Sequence, residues 1–369
     1  MLKQYRVRDY DFKLILLVTA LTVIGIFAVG SAEESLQRTQ VAGFIFGMFL
    51  MVVISLFDYS VLLKLYWLFY AGNILLLLLV ETPLGKTTNG AQRWITLFGI
   101  QFQPSETAKI LLILFYAQFI MKHKEKLNSF KNIALCCLFI LPPLILIYRQ
   151  PNLSTTIVMA VVFCIVMFVG GVSWKLVAGV LAVMIPAAVI AISIILQPSQ
   201  DLIRGYQQTR ILAWLYPEEY ATTEAYQQLN SIMAIGSGQL HGKGYNTNVI
   251  SSVKNGNFIA EPQTDFIFAV IGEEFGFVGT CAVIILVILI TLECIIIARK
   301  AKDTAGTVIA AGMAGLIGFQ GFLNIGVTTG LLPNTGVTLP FVSYGLTSLV
   351  SLFIGIGFVL NVGLQCKKY

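Results

Sequence analysis

Residues 266–298 read FIFAVIGEEFGFVGTCAVIILVILITLECIIIA, an apolar run interrupted only by Glu273, Glu274 and Glu293 among charged residues. A helix crosses the hydrocarbon core of a bilayer in about 20 apolar residues. The run exceeds that need, so it is expected to tilt, to break, or to begin outside the membrane. Working outward, similar runs lie near 12–31, 39–57, 61–80, 105–121, 132–149, 152–170 and 174–196 before it, and near 306–331 and 341–364 after it. The pattern predicts an all-α, polytopic integral membrane protein: ten transmembrane helices in a single domain over residues 1–369. Composition agrees, with 57% hydrophobic and 11% charged residues, against about 25% charged in an ordinary soluble domain. Too little polar surface remains to cover a water-soluble globule of this size.

Lys and Arg in the connections set the orientation. With the N-terminus inside, Lys3, Arg6, Arg8, Lys13, Lys64, Lys122, Lys124, Lys126, Lys131, Lys175, Arg299, Lys300, Lys302, Lys367 and Lys368 all fall on the inner side, and both termini are cytoplasmic. The first run follows a basic stretch as a signal peptide would. It is long for a signal core and is followed by further spans, so an uncleaved helix is expected. Two outer connections stand out. Residues 81–104 read as a polar loop rich in Gly, Thr and Asn, and residues 197–265 form one large extracytoplasmic loop, in which 206–215 is amphipathic and suited to a membrane surface. No internal repeat is evident, which disfavours a typical secondary transporter. The net charge of +6 comes from short clusters between apolar runs and gives no basic stripe for nucleic acid. The six cysteines mostly lie inside apolar runs without a CxxC spacing, and read as small hydrophobic residues rather than disulfides or metal ligands.

Polar residues at membrane depth are expensive, so each is a candidate site. Four stretches carry them. In the first, NGAQRWI at 89–95 leads into QPSETAK at 103–109. Pro104 and Ser105 open a helix, and Glu106 and Lys109 share one of its faces. A helix cap with a local ion pair accounts for these residues; so does a cationic shelf of Arg93 and Lys109 under a lipid head group. In the second, QPNLSTT at 150–156 is a turn between helices whose plain reading is a proline turn with an N-cap. In the third, EPQTDFIF at 261–268 places Glu261, Thr264 and Asp265 where the long loop enters a helix, and Asp265 or Thr264 serves at least as an N-cap candidate. Glu273 and Glu274 lie deeper and require partners or water. Asp265 and Glu273 are about 12 Å apart along a helix axis, too far for the close carboxylate pair of a retaining glycosidase. In the fourth, Asn324 precedes GLLPNTGVTLPFVSYG at 330–345, with Pro340 and Ser343. Gly and Pro at this density break helices, and irregular backbone at such depth survives where it lines a cavity or is buried in protein.

Taken in order, NGAQRWI, QPSETAK, QPNLSTT, AIGSGQLHGKG at 234–244, EPQTDFIFAVIGEEFG and GLLPNTGVTLPFVSYG resemble the SEDS family of RodA, FtsW and SpoVE over nearly the whole chain. The resemblance implies a peptidoglycan glycosyltransferase of the bacterial cytoplasmic membrane, polymerising lipid II into glycan strands at the outer face. It implies a catalytic role for the aspartate of TDFIF, here Asp265, and a class B penicillin-binding protein as transpeptidase partner, together with other membrane proteins of an elongation complex. Short ends without cytoplasmic tails favour a RodA-like role in elongation and cell shape over division or spore cortex. The chain departs from the family pattern at Asn152, where an acid is usual, and at Ser154, Gln263, Asn334, Thr338 and Leu346. A role for the missing acid does not carry over.

The implied reaction joins a sugar hydroxyl to an anomeric carbon and expels a polyprenyl pyrophosphate. An α-linked donor giving a β-linked product requires inversion, for which one base and no enzyme nucleophile suffice. Asp265 is the candidate base; general base catalysis contributes typically about 10²–10⁴-fold. Arg93, Lys109 and Arg210, with Glu106 beside them, are the candidates to hold the pyrophosphate. Thr264, Glu261, Glu273, Glu274, Ser343, Pro340 and Asn324 are expected to line the cavity. A divalent cation, Mg or Mn, bridging the pyrophosphate is compatible with this chemistry, although the sequence shows no dedicated ligand set. Two other functions fit a polytopic chain: a lipid II flippase, requiring a charged path across the membrane, and a non-catalytic scaffold for the transpeptidase.

Overall fold

The structure, a computed structural model, describes residues 10–88, 91–97, 100–195, 205–246, 252, 256 and 258–366. Both termini and their basic residues (Lys3, Arg6, Arg8, Lys367 and Lys368), Asn89 and Gly90 of the first motif, and Arg204 and Lys254 of the long loop lie outside the described residues. Helix α1 (Phe12–Ala32) begins at Asp11, whose carboxylate accepts from the Leu14 N–H at 3.0 Å. α2 (Glu34–Leu56) follows, and α3 (Tyr59–Leu62) passes through a 3₁₀ turn into α4 (Tyr66–Glu81). Strands β1 (Gly85–Thr88), β2 (Ala91–Leu97) and β3 (Ile100–Phe102) come next, then helices α5 (Pro104–His123), α6 (Phe130–Arg149), α7 (Leu153–Val169) and α8 (Trp174–Ile195). α9 (Gly205–Leu215) and α10 (Tyr226–Ser237) lie in the long loop, before α11 (Ile267–Lys300), α12 (Thr304–Thr328) and α13 (Leu346–Leu364).

Each of the ten apolar segments carries a helix, although the last two are shorter than their runs, with α12 ending at Thr328 and α13 starting at Leu346. Among the described residues, seven helical segments are long and apolar enough to cross a membrane by length and composition, with α3 and α4 counting as one. The chain is a multi-pass helical membrane protein. Its solvent exposure fits hydrocarbon rather than water: Ile45, Phe46 and Phe49 on α2 and Ile285, Ile288 and Leu292 on α11 are exposed at helical spacing. The interior is built on α5, α12 and α13, where Phe115, Ile309, Leu316, Phe353 and Ile356 are wholly buried.

Two local features shape the site. The first corrects the all-α expectation, since the 81–104 connection contains a three-stranded antiparallel sheet in the order β1-β2-β3. Gly85 pairs with Ile95 and Ile95 with Phe102. Thr87, Trp94, Ile95, Thr96 and Phe102 are β-branched or aromatic, which suits a pleated and half-buried surface, and Ile95 is buried. The turn residues of this loop were legible in the sequence; the strands between them were not.

The second feature is a break in α11 at Gly276, one of the outcomes its length predicts. Gly276 has φ 64° and ψ −157°, a conformation open chiefly to glycine. The freed backbone groups find partners in the loop after α10. Phe277 and Val278 N–H donate to the Gln239 and Leu240 carbonyls at 2.8 and 3.2 Å. The Glu273 and Glu274 carbonyls accept from Lys243 and Gly244 N–H at 2.9 and 3.1 Å. A helix break in an apolar environment is tolerated where the protein itself supplies such partners.

Candidate active site at the head of α11

The segment between α12 and α13, residues 329–345, has little regular hydrogen bonding of its own and is held by side chains. Gln320, Asn324 and Thr328 fall four apart on α12 and so share one face. Gln320 Nε2 donates to the Thr338 carbonyl and to Thr338 Oγ1, both at 3.1 Å. Asn324 Nδ2 donates to the carbonyls of Val337 at 2.6 Å and Asp265 at 2.7 Å. From the long loop, Gln228 Nε2 donates to the Val327 and Leu332 carbonyls, both at 2.7 Å, and Trp214 Nε1 to the Gly330 carbonyl at 3.0 Å.

Asp265 stands two residues before α11, at the point where this segment meets the helix. The residue at the helix N-cap is Phe266, and no side chain caps there. The Asp265 carboxylate is therefore not the cap that its position suggested. Thr264 Oγ1 turns back to the Glu261 carbonyl at 2.9 Å and does not cap either. The Asp265 carboxylate faces Gly336: a Cβ at that glycine would sit 3.1 Å from Asp265 Oδ2. Gly336 has φ 67°, so the backbone reaches the carboxylate in a conformation that a side chain would oppose. Desolvation pushes the Asp265 carboxyl up from its ordinary 3.8 to about 6; the positive charges of Arg210 and then Arg93 pull it back down, and Glu261 adds to the rise.

The two guanidinium groups whose charges act on this carboxylate are held by backbone carbonyls. Arg210, exposed on α9, donates from Nη1 to the Asn334 carbonyl at 3.4 Å. Arg93 on β2 donates from Nε to the Gln150 carbonyl at 3.0 Å and from Nη2 to that of Pro151. The 150–156 turn in its turn touches the segment, because Ser154 Oγ donates to the Thr335 carbonyl. Asn152 accepts from the Thr155 N–H at 3.2 Å and caps α7, which is the plain reading of that motif.

The structure thus brings Asp265, Thr264, Glu261, Arg210, Arg93, Asn324 and Ser343 together at one end of the bundle. Lys109 forms the local ion pair with Glu106 that was one reading of this stretch, rather than a cationic shelf with Arg93. Lys109 is 4% exposed. Its ammonium donates to Glu106 Oε1 and Oε2 at 2.9 and 3.0 Å and to Gln320 Oε1 at 2.8 Å, which occupies its three N–H groups. It reaches the site only through Gln320 and Thr338. Pro340 is buried, its ring facing Gly321 of α12. Glu273 and Glu274 lie further along α11, also buried and partnered: Glu273 with Lys243 Nζ at 2.7 Å, Glu274 with Ser31 Oγ. Sequence reasoning missed Gln320, Gln228 and Trp214. For Gln320 the signal was present, since it precedes Asn324 by one helical turn on the same face. Among the described residues, no group of three or more His, Cys, Asp or Glu is arranged to hold a metal ion.

Fold and site together define a polytopic helical membrane protein whose polar centre lies where a broken helix meets an irregular inter-helix segment. Residues 9–368 match the model of the FtsW, RodA and SpoVE family, described as cell cycle protein, and the chain belongs to that family. Peptidoglycan glycosyltransferase MrdB of Escherichia coli K12 is 35% identical over 358 residues, covering 95% of this chain and 93% of that protein. A probable peptidoglycan glycosyltransferase FtsW of Geobacter metallireducens is 32% identical, covering 98% and 96%. Among solved structures, the rod shape determining protein RodA of Thermus thermophilus superimposes with a TM-score of 0.71 at 28% identity, covering 98% of each chain. A chain from a peptidoglycan synthase complex described as coordinating polymerization and crosslinking gives 0.78 at 30% identity, covering 96% and 97%.

Proposed function

We propose that this chain is a peptidoglycan glycosyltransferase that polymerises lipid II at the outer face of the bacterial cytoplasmic membrane. Its family and the names of its relatives support the activity. In this reading all ten apolar helices span, both termini are cytoplasmic, residues 197–265 are extracytoplasmic, and residues 1–369 form a single domain. The partner is a class B penicillin-binding transpeptidase, consistent with the synthase complex that contains a structural neighbour.

Asp265 is the general base. It takes the proton from the attacking sugar hydroxyl while that oxygen bonds to the anomeric carbon of the second lipid-linked sugar. The bond from that carbon to the diphosphate breaks, and the electron pair leaves on the polyprenyl diphosphate. One displacement inverts the anomeric centre. Arg210 and Arg93 offset the charge developing on the leaving group. Lys109, already paired, acts on the site by holding Gln320 against Thr338 rather than by touching phosphate. The observation that carries the reading is the carboxyl of Asp265: it does not cap α11, faces the bare backbone of Gly336, and is pushed up to about 6 by desolvation against the charges of Arg210 and Arg93. A base with its pKa near the working pH combines availability with driving force.

The deep charges suit this better than translocation, because they are paired locally: Glu293 with Lys13, Glu273 with Lys243, Glu106 with Lys109. The test is to place the purified chain in liposomes with fluorescent lipid II. Glycan strands on a gel are expected. Movement of lipid II between leaflets without strands would replace the reading with a flippase.

A further inference from the structure

We propose that Asn324 and Ser343 are positioning residues for the transfer reaction, fixing the base by its backbone rather than by its carboxylate. The inference rests on the reading of Asp265 as the base. The three peptide carbonyls that lead into the helix, those of Gln263, Thr264 and Asp265, each accept from a different donor. Tyr344 N–H donates to Gln263 at 2.9 Å. Ser343 Oγ donates to Thr264 at 2.6 Å while accepting from Leu339 N–H at 2.7 Å. Asn324 Nδ2 donates to Asp265 at 2.7 Å and to Val337 at 2.6 Å. The helix does not compete for the last of these carbonyls, since Ala269 N–H goes to Phe266 at 2.9 Å.

The chemistry explains the residue types. A neutral amide offers two N–H groups from one nitrogen. Asn324 uses both to tie the base's own peptide to Val337, next to the Gly336 backbone that the carboxylate faces. Asp in its place has no such donors, and Gln reaches one methylene further. The Ser343 hydroxyl donates and accepts at once, so it joins the peptide before the base to Leu339 in the same segment. Asn324 is 1% exposed and Ser343 5%, so water does not readily substitute for either. Loss of either tie frees the carboxylate to shift against Gly336 and Arg210 with its own chemistry intact, and a misplacement of about 1 Å costs on the order of 100-fold in rate.

The experiment measures lipid II polymerisation by the full chain carrying Asn324→Ala, Ser343→Ala, Ser343→Thr or Asp265→Asn, with kcat, KM, the pH profile of kcat and the folded fraction recorded for each. Asn324→Ala and Ser343→Ala are expected to lower kcat per folded molecule about 10–100-fold. KM stays within about 3-fold, and the acidic midpoint moves away from its wild-type value. Ser343→Thr, which keeps the hydroxyl, recovers most of kcat. Folded Asn324→Ala and Ser343→Ala with wild-type kcat and midpoint, or losses confined to the amount of folded protein, overturn the inference; so does a failure of Ser343→Thr to differ from Ser343→Ala. If Asn324→Ala does not fold, the two Ser343 variants decide. Asp265→Asn separates the two readings: wild-type turnover there removes the base and this inference with it, while an inactive Asp265→Asn beside fully active Asn324 and Ser343 variants removes the positioning role alone.

Discussion

The charge state of Asp265 makes the rate depend on pH in a way that Arg210 should tune. With the carboxyl pushed up to about 6, about half the molecules carry an ionised base at that pH, about one-tenth at one unit below and about nine-tenths at one unit above. The base works only when ionised, so kcat/KM should fall about tenfold per unit on the acidic side. Arg210 is the largest charge opposing the rise, ahead of Arg93. Arg210→Gln therefore moves the acidic limb to higher pH, and Arg93→Gln moves it the same way by less. The assay is initial-rate polymerisation at lipid II well below KM across the acidic to neutral range, which reads kcat/KM and so the titration of the free chain. A midpoint that stays in place in Arg210→Gln, or moves down, refutes the electrostatic coupling. Stability carries the opposite sign. A carboxyl whose folded pKa lies above its ordinary 3.8 contributes stability that is present below that value and lost as pH rises through about 6. Asp265→Asn should thus be no less stable than the wild type near neutral pH.

Other substitutions probe the scaffold. Gly336→Ala places a Cβ 3.1 Å from Asp265 Oδ2 in a backbone of φ 67°; a loss of about 1–2 kcal/mol in stability with a larger fall in kcat is expected, and an unchanged rate would mean that the carboxylate is not confined there. Gly276→Ala drives a Cβ to 2.4 Å from Gly242 N, so a lower melting temperature in detergent, by the equivalent of at least about 1–3 kcal/mol, should accompany it. Glu106→Gln leaves the Lys109 ammonium buried without its counter-charge, for a loss of about 3–5 kcal/mol. The double change Glu106→Gln with Lys109→Met should recover part of it in thermal unfolding, and equal losses in single and double variants would argue against the pairing.

Much of this architecture could be read from hydropathy alone, because in a bilayer the length of an apolar run dictates the element. The over-long 266–298 run called for a tilt, a break or a start outside the membrane, and glycine at 276 supplies the backbone that permits the break. The polar stretches that had no reason to lie at membrane depth led to Asp265, Asn324 and Ser343. What the sequence did not disclose was pairing in space. Glu106 and Lys109 fit a local ion pair and an open shelf equally well until Gln320 closes over the ammonium from another helix. The strands of 85–102 were hidden by their turn residues, because a three-residue strand such as Ile100–Phe102 is too short to show a period. The Asp265 cap reading failed because capping depends on a side-chain direction that sequence position does not fix.

Polymerisation by purified Asp265→Asn distinguishes a chemical role of this carboxylate from a structural one. The folded variant should bind lipid II as the wild type does and lose about 10²–10⁴-fold in turnover, leaving no strands on the gel. Strands made at the wild-type rate by that variant would contradict the chemical role.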